Sequence, residues 1–187
     1  MHKLEVPANE ALYPVPVVLV GVWDRDTLRT NIITIAWCGV AASNPPMISI
    51  SVRPSRHSHK LIMAEGEFSV NIPSTKHLKE ADICGILSGR DTDKFKLCGF
   101  TPVKPSKISA SLIGECPVNI ECKLKNVLKL GSHDMFIGEV TAVHVDRSVT
   151  DKNGKIDYGK TLPFVFNQGE YRECGPRIGR YGFSSKK

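Results

Sequence analysis

The segment Ser51-Val-Arg-Pro-Ser-Arg-His-Ser58 combines two arginines with three serine hydroxyls, a composition suited to binding an anion. It joins an alternating stretch that predicts a strand to an apolar-periodic stretch that predicts a helix. The first N–H groups of a helix lack backbone partners and carry a partial positive charge, which suits a phosphate. Arg53 and Arg56 can add charge-assisted hydrogen bonds. In the alternative interpretation, Ser58 only caps the helix and both arginines lie in water.

A second candidate is Thr30-Asn-Ile-Ile-Thr-Ile-Ala-Trp-Cys-Gly-Val-Ala-Ala-Ser43, a predicted strand whose second half has mostly small side chains. A flat aromatic ligand that lies against a strand needs small neighbours, and exposed backbone N–H and C=O groups can then bind its polar edge. The alternative is a core strand that another strand crosses closely.

A third candidate is the charged turn Ser88-Gly-Arg-Asp-Thr-Asp-Lys-Phe95, which follows a predicted helix. Arg90 and Lys94 can bind one anion if the turn folds back. From spacing alone, a solvated turn in which Arg90 pairs with Asp93 is favoured.

Catalytic side chains and metal ligands are not predicted. The sequence has no nucleophile elbow, no metalloprotease helix and no glycine-rich strand–loop–helix motif, which argues against hydrolysis. Its six cysteines lack a CxxC or similar metal-binding spacing. Cys38 follows Trp37 directly and is either a buried inert thiol, which is favoured, or a thiol beside a bound ligand. A redox cofactor would need only placement from the protein, because the cofactor carries the chemistry.

The composition predicts one globular domain, since the 187 residues are 41% hydrophobic and 24% charged. The net charge of +6 is spread along the chain, and aromatic residues make up only 7%, so a nucleic-acid-binding module is not favoured. The longest early apolar run, Val15–Trp23, is too short to cross a membrane. No secretory signal is recognisable, and the expected compartment is the cytoplasm.

The elements that must position these residues are mostly strands bounded by Gly, Pro and Asn. The predicted strands are Val15–Trp23, Ile32–Val40, Met47–Arg53, Glu67–Ile72, Val118–Val127, Met135–Val145 and Leu162–Phe166. The predicted helical segments are Ser58–Glu65, Ser74–Leu87 and a short turn over Thr92–Leu97. Many strands and few helices favour an antiparallel barrel with helical excursions.

Six segments together resemble the flavin reductase-like family of FMN-binding split barrels, in particular its flavoredoxin-like branch. They are Asn31-Ile-Ile-Thr-Ile-Ala-Trp37, Asn44-Pro-Pro46, the Ser51–Ser58 segment, Glu67-Phe-Ser-Val-Asn-Ile72, Cys84-Gly-Ile-Leu-Ser-Gly-Arg-Asp-Thr-Asp-Lys-Phe95 and Glu115-Cys-Pro-Val-Asn-Ile-Glu-Cys122. The segment Gly131-Ser-His-Asp-Met-Phe-Ile-Gly-Glu-Val140 continues the match. The resemblance extends from about Leu12 to Phe166, in the family's order.

The resemblance implies a mainly β fold, a six-stranded antiparallel Greek-key split barrel with a few peripheral helices. It implies a single domain over residues 1–187, with residues 1–11 and 170–187 as terminal extensions. It also implies a homodimer that holds one FMN per subunit near the interface. The tail from Glu170 matches no element of the family.

The resemblance further implies an FMN site without catalytic side chains or a metal. The residues expected to meet the isoalloxazine ring and ribityl chain are Asn31, Thr34, Ala36 and Trp37, with Ser51, Val52 and Arg53 lining the same pocket. The residues expected at the phosphate are Arg56, His57 and Ser58, with Lys94 approaching from the Ser88–Phe95 turn.

The implied function is a flavin-dependent oxidoreductase, in which NAD(P)H delivers hydride to the flavin and electrons pass to an acceptor. The alternative within the same family is a non-enzymatic electron carrier. Such a carrier keeps its FMN and receives electrons from a redox protein partner. No membrane or nucleic-acid partner is expected.

Overall fold

Antiparallel strands rich in β-branched and apolar residues make up most of the regular structure of the chain. The computed structural model describes residues 2–185. Its strands are β1 (Val15–Pro16), β2 (Val18–Asp24), β3 (Arg29–Ile35), β4 (Cys38–Ser43), β5 (Pro46–Val52), β6 (Glu67–Ile72), β7 (Pro102–Val103), β8 (Leu112–Ile113), β9 (Val118–Lys129), β10 (Asp134–Val145), β11 (Phe164–Asn167) and β12 (Glu170–Glu173).

Seven of these strands form one antiparallel sheet in the order β3-β2-β6-β9-β10-β5-β4. The mainly β, antiparallel split-barrel fold expected from the sequence is confirmed. The sheet has seven strands rather than six because the predicted strand Ile32–Val40 is two strands, β3 and β4, separated at Ala36 and Trp37. A three-stranded sheet, β1-β11-β12, and a two-stranded sheet, β7-β8, complete the β structure.

The helices lie around the large sheet. They are α1 (His57–Glu65), α2 (Leu78–Ile86), α3 (Lys94–Cys98) and α4 (Tyr158–Thr161). Helix α1 ends at Glu65 as predicted, and the φ of 66° at the following Gly66 is a conformation that favours glycine. The predicted helix Ser74–Leu87 is instead a 3₁₀ turn followed by α2. The Ser74 hydroxyl caps no backbone N–H and lies 3.4 Å from His77 Nδ1.

Two apolar clusters fix the positions of β2 and β3, which are buried on both faces. The inner cluster lies inside the large sheet and includes Ile33 and Ile35 of β3 with Leu61 and Ile62 of α1. The outer cluster packs the other face, around Ile32, against α2 and α3. Strand β3 is therefore held between α1 on one side and α2 and α3 on the other.

A buried carboxylate fastens one loop to the large sheet. Glu121 of β9 has no exposed surface and accepts hydrogen bonds from the backbone amides of Ser106, at 2.7 Å, and Lys107, at 2.6 Å. His144 Nε2 lies 2.6 Å from the same carboxylate. Burial raises the pKa of Glu121, but these hydrogen bonds outweigh it and hold the pKa below the ordinary value.

Part of the predicted C-terminal extension belongs to a β-sheet. The first residues of the predicted extension 170–187 form β12, which pairs with β11 from Phe164 to Asn167. Residues 1, 186 and 187, which belong to the predicted extensions, lie outside the described residues. Among residues 2–185, no helix is both long and apolar enough to cross a membrane.

Candidate functional site

Two neighbouring cavities lie where β3, β5 and the start of α1 meet. One, of about 310 Å³, has a mostly apolar wall and is called the apolar cavity here. The other, of about 490 Å³, has a mostly polar wall and is called the basic cavity. Ile33, Arg53 and Arg56 line both, so the two cavities are neighbours that share part of a wall. Each volume lies in the roughly 300–1,000 Å³ range of small-molecule sites.

One end of the apolar cavity is built around Trp37, at the break between β3 and β4. The Trp37 ring stacks on His133 with 6.1 Å between centroids and 6° between planes. Phe166 of β11 approaches the same ring at 6.2 Å. The Trp37 carbonyl accepts a hydrogen bond from the Ser51 amide at 2.8 Å, which ties the break to β5. The cavity thus has a flat aromatic wall on a fixed backbone.

Further parts of the wall come from α2 and from β12. The Tyr171 hydroxyl of β12 donates a hydrogen bond to Asp82 of α2 at 3.0 Å, and both residues line the apolar cavity. Burial, followed by the contact with Asp82, raises the pKa of Tyr171 to about 12. Thr34 donates its hydroxyl hydrogen to the Ala81 carbonyl of α2. The Thr34 side chain therefore fixes α2 on β3 while it lines the cavity.

The basic cavity concentrates positive charge. Its walls carry Arg53, Arg56, Arg90 and Lys94, and its lining includes no Asp or Glu side chain among the described residues. Serine hydroxyls and the start of α1 add neutral donors. An anion is the ligand that this wall favours.

Ser58 does not cap α1, so the alternative interpretation of the Ser51–Ser58 segment is wrong on that point. The residue that precedes the helix is Arg56, and no side chain caps the first turn. Ser58 lies within the helix, 2% exposed, and its hydroxyl accepts a hydrogen bond from the Asn31 amide at 2.7 Å. The first N–H groups of α1 are therefore left for a ligand.

His57, the first residue of α1, has one nitrogen occupied and one without a partner. Its Nε2 lies 3.2 Å from Oδ2 of the buried Asp24. Its Nδ1 is buried and is the single buried side-chain nitrogen or oxygen within residues 2–185 that lacks a hydrogen bond. Such a group costs free energy unless a ligand or water satisfies it.

Lys94 lines the basic cavity, but its ammonium is largely used by the protein. It is 4% exposed and donates to the carbonyls of Ile32 and Cys84, each at 2.8 Å. Burial, with a smaller contribution from Arg56, lowers the pKa of Lys94. The solvated pairing of Arg90 with Asp93 is not found, because Asp93 pairs with Arg29 at 2.8 Å.

The turn between α2 and α3 approaches β3 closely at Gly89. A Cβ atom at this position would lie 1.8 Å from Oδ1 of Asn31. Only a glycine fits this approach without displacing Asn31 or the turn. The turn therefore folds back over β3 and brings Ser88 and Arg90 to the wall of the basic cavity.

The structure brings all the predicted site residues to these two cavities. The apolar cavity is lined by Thr34, Ala36, Trp37, Ser51, Val52, Arg53 and Arg56. The basic cavity is lined by Asn31, Arg53, Arg56, His57, Ser58 and Lys94. The residues that the sequence did not assign to the site include Asp82, His133, Phe166 and Tyr171.

Of these, His133 lay within the matched Gly131–Val140 segment, which was the one sequence feature that could have indicated it. Tyr171 lay in the tail that resembled no element of the family, so no sequence pattern pointed to it.

The thiol of Cys38, which follows Trp37 in the chain, is poorly suited to ionise. Cys38 borders the outer side of Trp37, and burial raises its pKa to about 12, which favours the inert interpretation. No group of three or more His, Cys, Asp or Glu side chains that could hold a metal occurs between residues 2 and 185.

Comparison with known proteins decides the family. Residues 11–175 match the family model described as flavin reductase like domain. The chain belongs to the flavin reductase-like family. A protein of Archaeoglobus fulgidus is 32% identical over 157 residues, which cover 84% of this chain and 86% of that protein.

Two solved structures are similar to this chain over nearly its full length. A flavoredoxin of Desulfovibrio vulgaris (Miyazaki F) is 36% identical with a TM-score of 0.92, over 99% of this chain and 100% of that one. A flavoredoxin from Methanosarcina acetivorans is 28% identical with a TM-score of 0.90, over the full length of both. This flavin reductase-like protein therefore falls in the flavoredoxin-like branch.

Proposed function

We propose that this flavin reductase-like protein binds FMN across the two cavities and works as a flavin-dependent oxidoreductase. The observation that carries the proposal is that an aromatic-walled cavity lies next to a cavity lined by four cationic side chains, with which it shares Arg53 and Arg56. A flavin mononucleotide has the matching form, with a flat ring at one end and a phosphate at the other.

The residues present fit FMN at its phosphate end. The uncapped start of α1, the unpartnered Nδ1 of His57 and the guanidinium groups of Arg53 and Arg56 offer donors to a phosphate. Lys94 supplies positive charge from behind, and its two bonds to carbonyls hold it in place. One phosphate-binding wall without an adenine-binding fingerprint favours FMN over FAD.

The residues at the other end fit the ring. Thr34, Ala36 and Trp37 present the end of β3, while Ser51 and Val52 present β5. When bound, the flavin supplies hydride and electron transfer, and the protein contributes position and exclusion of water. Asn31 joins the two ends, since it lies on β3 and bonds Ser58 of α1.

The cofactor is tested by releasing it from purified protein with acid or heat and identifying it by chromatography. We expect FMN, in an amount close to one per chain. Release of FAD, or a protein that binds neither flavin when both are supplied, would overturn the proposal.

NAD(P)H is the proposed hydride donor, and the alternative is a carrier of the flavoredoxin type that receives electrons from a protein. The likeness to two flavoredoxins favours keeping this alternative. Steady-state oxidation of NADH and NADPH by the FMN-loaded protein separates the two. If the protein oxidises neither nucleotide, the NAD(P)H-dependent reaction is excluded and the electron carrier is the supported function.

We further propose a homodimer that works in the cytoplasm. Strand β4 is an edge of the large sheet, and Val40 on it is 83% exposed. Beside it lies an apolar groove of about 350 Å³ that includes Leu12, Tyr13 and Trp37. A second copy would cover both features. Free cysteines throughout the described chain fit a reducing compartment.

Light scattering tests the dimer, since the chain has a mass of 20.6 kDa. A mass near twice this value at micromolar concentration is expected. A mass near that of one chain would contradict the dimer.

A further inference from the structure

We propose that His57, held by the buried carboxylate of Asp24, binds the phosphate of the ligand only as the protonated imidazolium, so that FMN binding takes up a proton. The inference rests on the proposed FMN function and adds to it the protonation state of one donor. It concerns the chain's own residues and does not depend on turnover.

The geometry fixes which nitrogen is available. His57 is the first residue of α1, is 9% exposed and lines the basic cavity. Its Nε2 is engaged by Asp24, which is 4% exposed, at 3.2 Å. Nδ1 is the atom left without a partner. A ligand in the basic cavity is therefore the group placed to satisfy Nδ1.

Asp24 determines that Nε2 carries a hydrogen. Burial raises the pKa of Asp24, but hydrogen bonds from the amide of Asp26, from His57 and from Thr27 outweigh it, and the pKa is lowered. The carboxylate is ionised at neutral pH and accepts from Nε2–H. In a neutral ring the other nitrogen, Nδ1, then carries a lone pair and can only accept a hydrogen bond. In the charged ring Nδ1 carries a hydrogen and donates it.

The charged groups around the His57 ring differ between its two sides. The charged groups on the cavity side of the ring are Arg53, Arg56, Arg90 and Lys94, all positive. On the sheet side lies Asp24, with the Arg29–Asp93 ion pair beyond it, and His59 on the next part of α1 is engaged by Asp134. The cavity side of the ring therefore faces only positive groups, and its sheet side faces the carboxylate of Asp24.

A bound phosphate places negative charge on the cavity side of the His57 ring. Above pH 7 the phosphate carries close to two negative charges, since its second pKa is about 6. A lone pair on Nδ1 would repel a phosphate oxygen, whereas Nδ1–H donates a charge-assisted hydrogen bond to it. The bound state therefore favours the imidazolium, and binding draws one proton from solvent.

The experiment compares FMN with riboflavin, which lacks the phosphate, on protein freed of flavin between pH 7 and pH 9. Uptake of one proton makes the Kd for FMN rise by up to about tenfold per pH unit, while the Kd for riboflavin stays nearly constant. The variant His57→Asn keeps an amide N–H at the same number of bonds from Cβ as Nδ1, but it cannot titrate. We expect a clearly smaller pH slope for FMN in this variant.

Lys94 is the other group able to give a slope, because its pKa is lowered. His57→Asn retains Lys94, so the difference between the two slopes isolates His57. Calorimetry at pH 8 in two buffers with different ionisation enthalpies measures the same quantity directly. The wild type should take up more protons on binding FMN than the variant does.

Equal slopes and equal proton uptake in the two proteins would overturn the inference. Failure of the wild type to bind FMN at all would instead overturn the proposed function. If His57→Asn does not fold, imidazole ¹⁵N shifts of the wild type at pH 8 give the answer. His57 should move to imidazolium shifts when FMN is added, and a ring that stays neutral would refute the proposal.

Discussion

The close approach of Gly89 to Asn31 gives a prediction that the geometry makes sharp. In Gly89→Ala the new Cβ would lie 1.8 Å from Asn31 Oδ1 and 2.6 Å from Asn31 Cγ, so something must move. Asn31 is 8% exposed and bonds the buried Ser58, whereas Ser88 and Arg90 on either side of Gly89 are exposed. The turn should therefore yield before Asn31 does.

Displacement of the turn moves Ser88 and Arg90 away from the wall of the basic cavity. A lost hydrogen bond to a charged group corresponds to about 1.5–3 kcal/mol. Because 1.4 kcal/mol is tenfold in affinity, the Kd for FMN should rise roughly 10- to 100-fold. Riboflavin has no phosphate for the turn to contact, and its Kd should change less than about threefold.

The assay is a fluorescence titration of both flavins, with thermal unfolding of the flavin-free protein beside it. Gly175→Ala is the matched control, because a Cβ at Gly175 meets nothing within 4 Å. In an Asn31→Ala background the clash is removed, so adding Gly89→Ala should have little further effect. The reasoning would be refuted if Gly89→Ala kept the FMN affinity and stability of the wild type. It would also be refuted if Gly89→Ala weakened FMN binding as much in the Asn31→Ala background as in the wild type.

Three further predictions concern other parts of the molecule. Arg56→Ala with Ser58→Ala should weaken FMN by about 30-fold or more and riboflavin far less, and equal losses in titrations of the two would contradict the phosphate assignment. Tyr171→Phe removes the donor to Asp82, so denaturant unfolding should show a loss of about 1 kcal/mol and both flavins should weaken equally. Because the pKa of Glu121 is lowered in the fold, its stabilisation is present above the ordinary value of 4.5 and is lost as the pH falls below it. Glu121→Gln should therefore flatten the fall in unfolding free energy between pH 5 and pH 3, and an unchanged acid slope would exclude this role.

The strands could be predicted because their cause is local. The segment Glu67–Ile72 is a strand over the predicted range, and α1 ends at Glu65 as predicted. The break at Trp37 could not be predicted, because no breaker residue marks it. At the break the Trp37 carbonyl accepts a hydrogen bond from the Ser51 amide, which is a contact between segments distant in the sequence.

The site was predictable where its residues lie within one segment and not where distant segments meet. Arg53, Arg56 and Ser58 share a loop whose composition indicates an anion site. The pairing of His57 with Asp24 joins residues 33 apart in the chain, and that of Tyr171 with Asp82 joins residues 89 apart. Only the folded protein brings such pairs together, so no residue spacing in the sequence indicates them.

Because Trp37 stacks on His133 in the cavity wall, the intrinsic tryptophan fluorescence of the protein can report on the site. The chain has two tryptophans, and Trp37 is the one on the cavity wall, while Trp23 lies outside both cavities that form the site. Emission from Trp37 is quenched by a neighbouring imidazolium and absorbed by a flavin, so it will register both the charge of His133 and the arrival of a ligand. In a Trp23→Phe protein, emission from a single indole would follow occupancy in real time without any added dye.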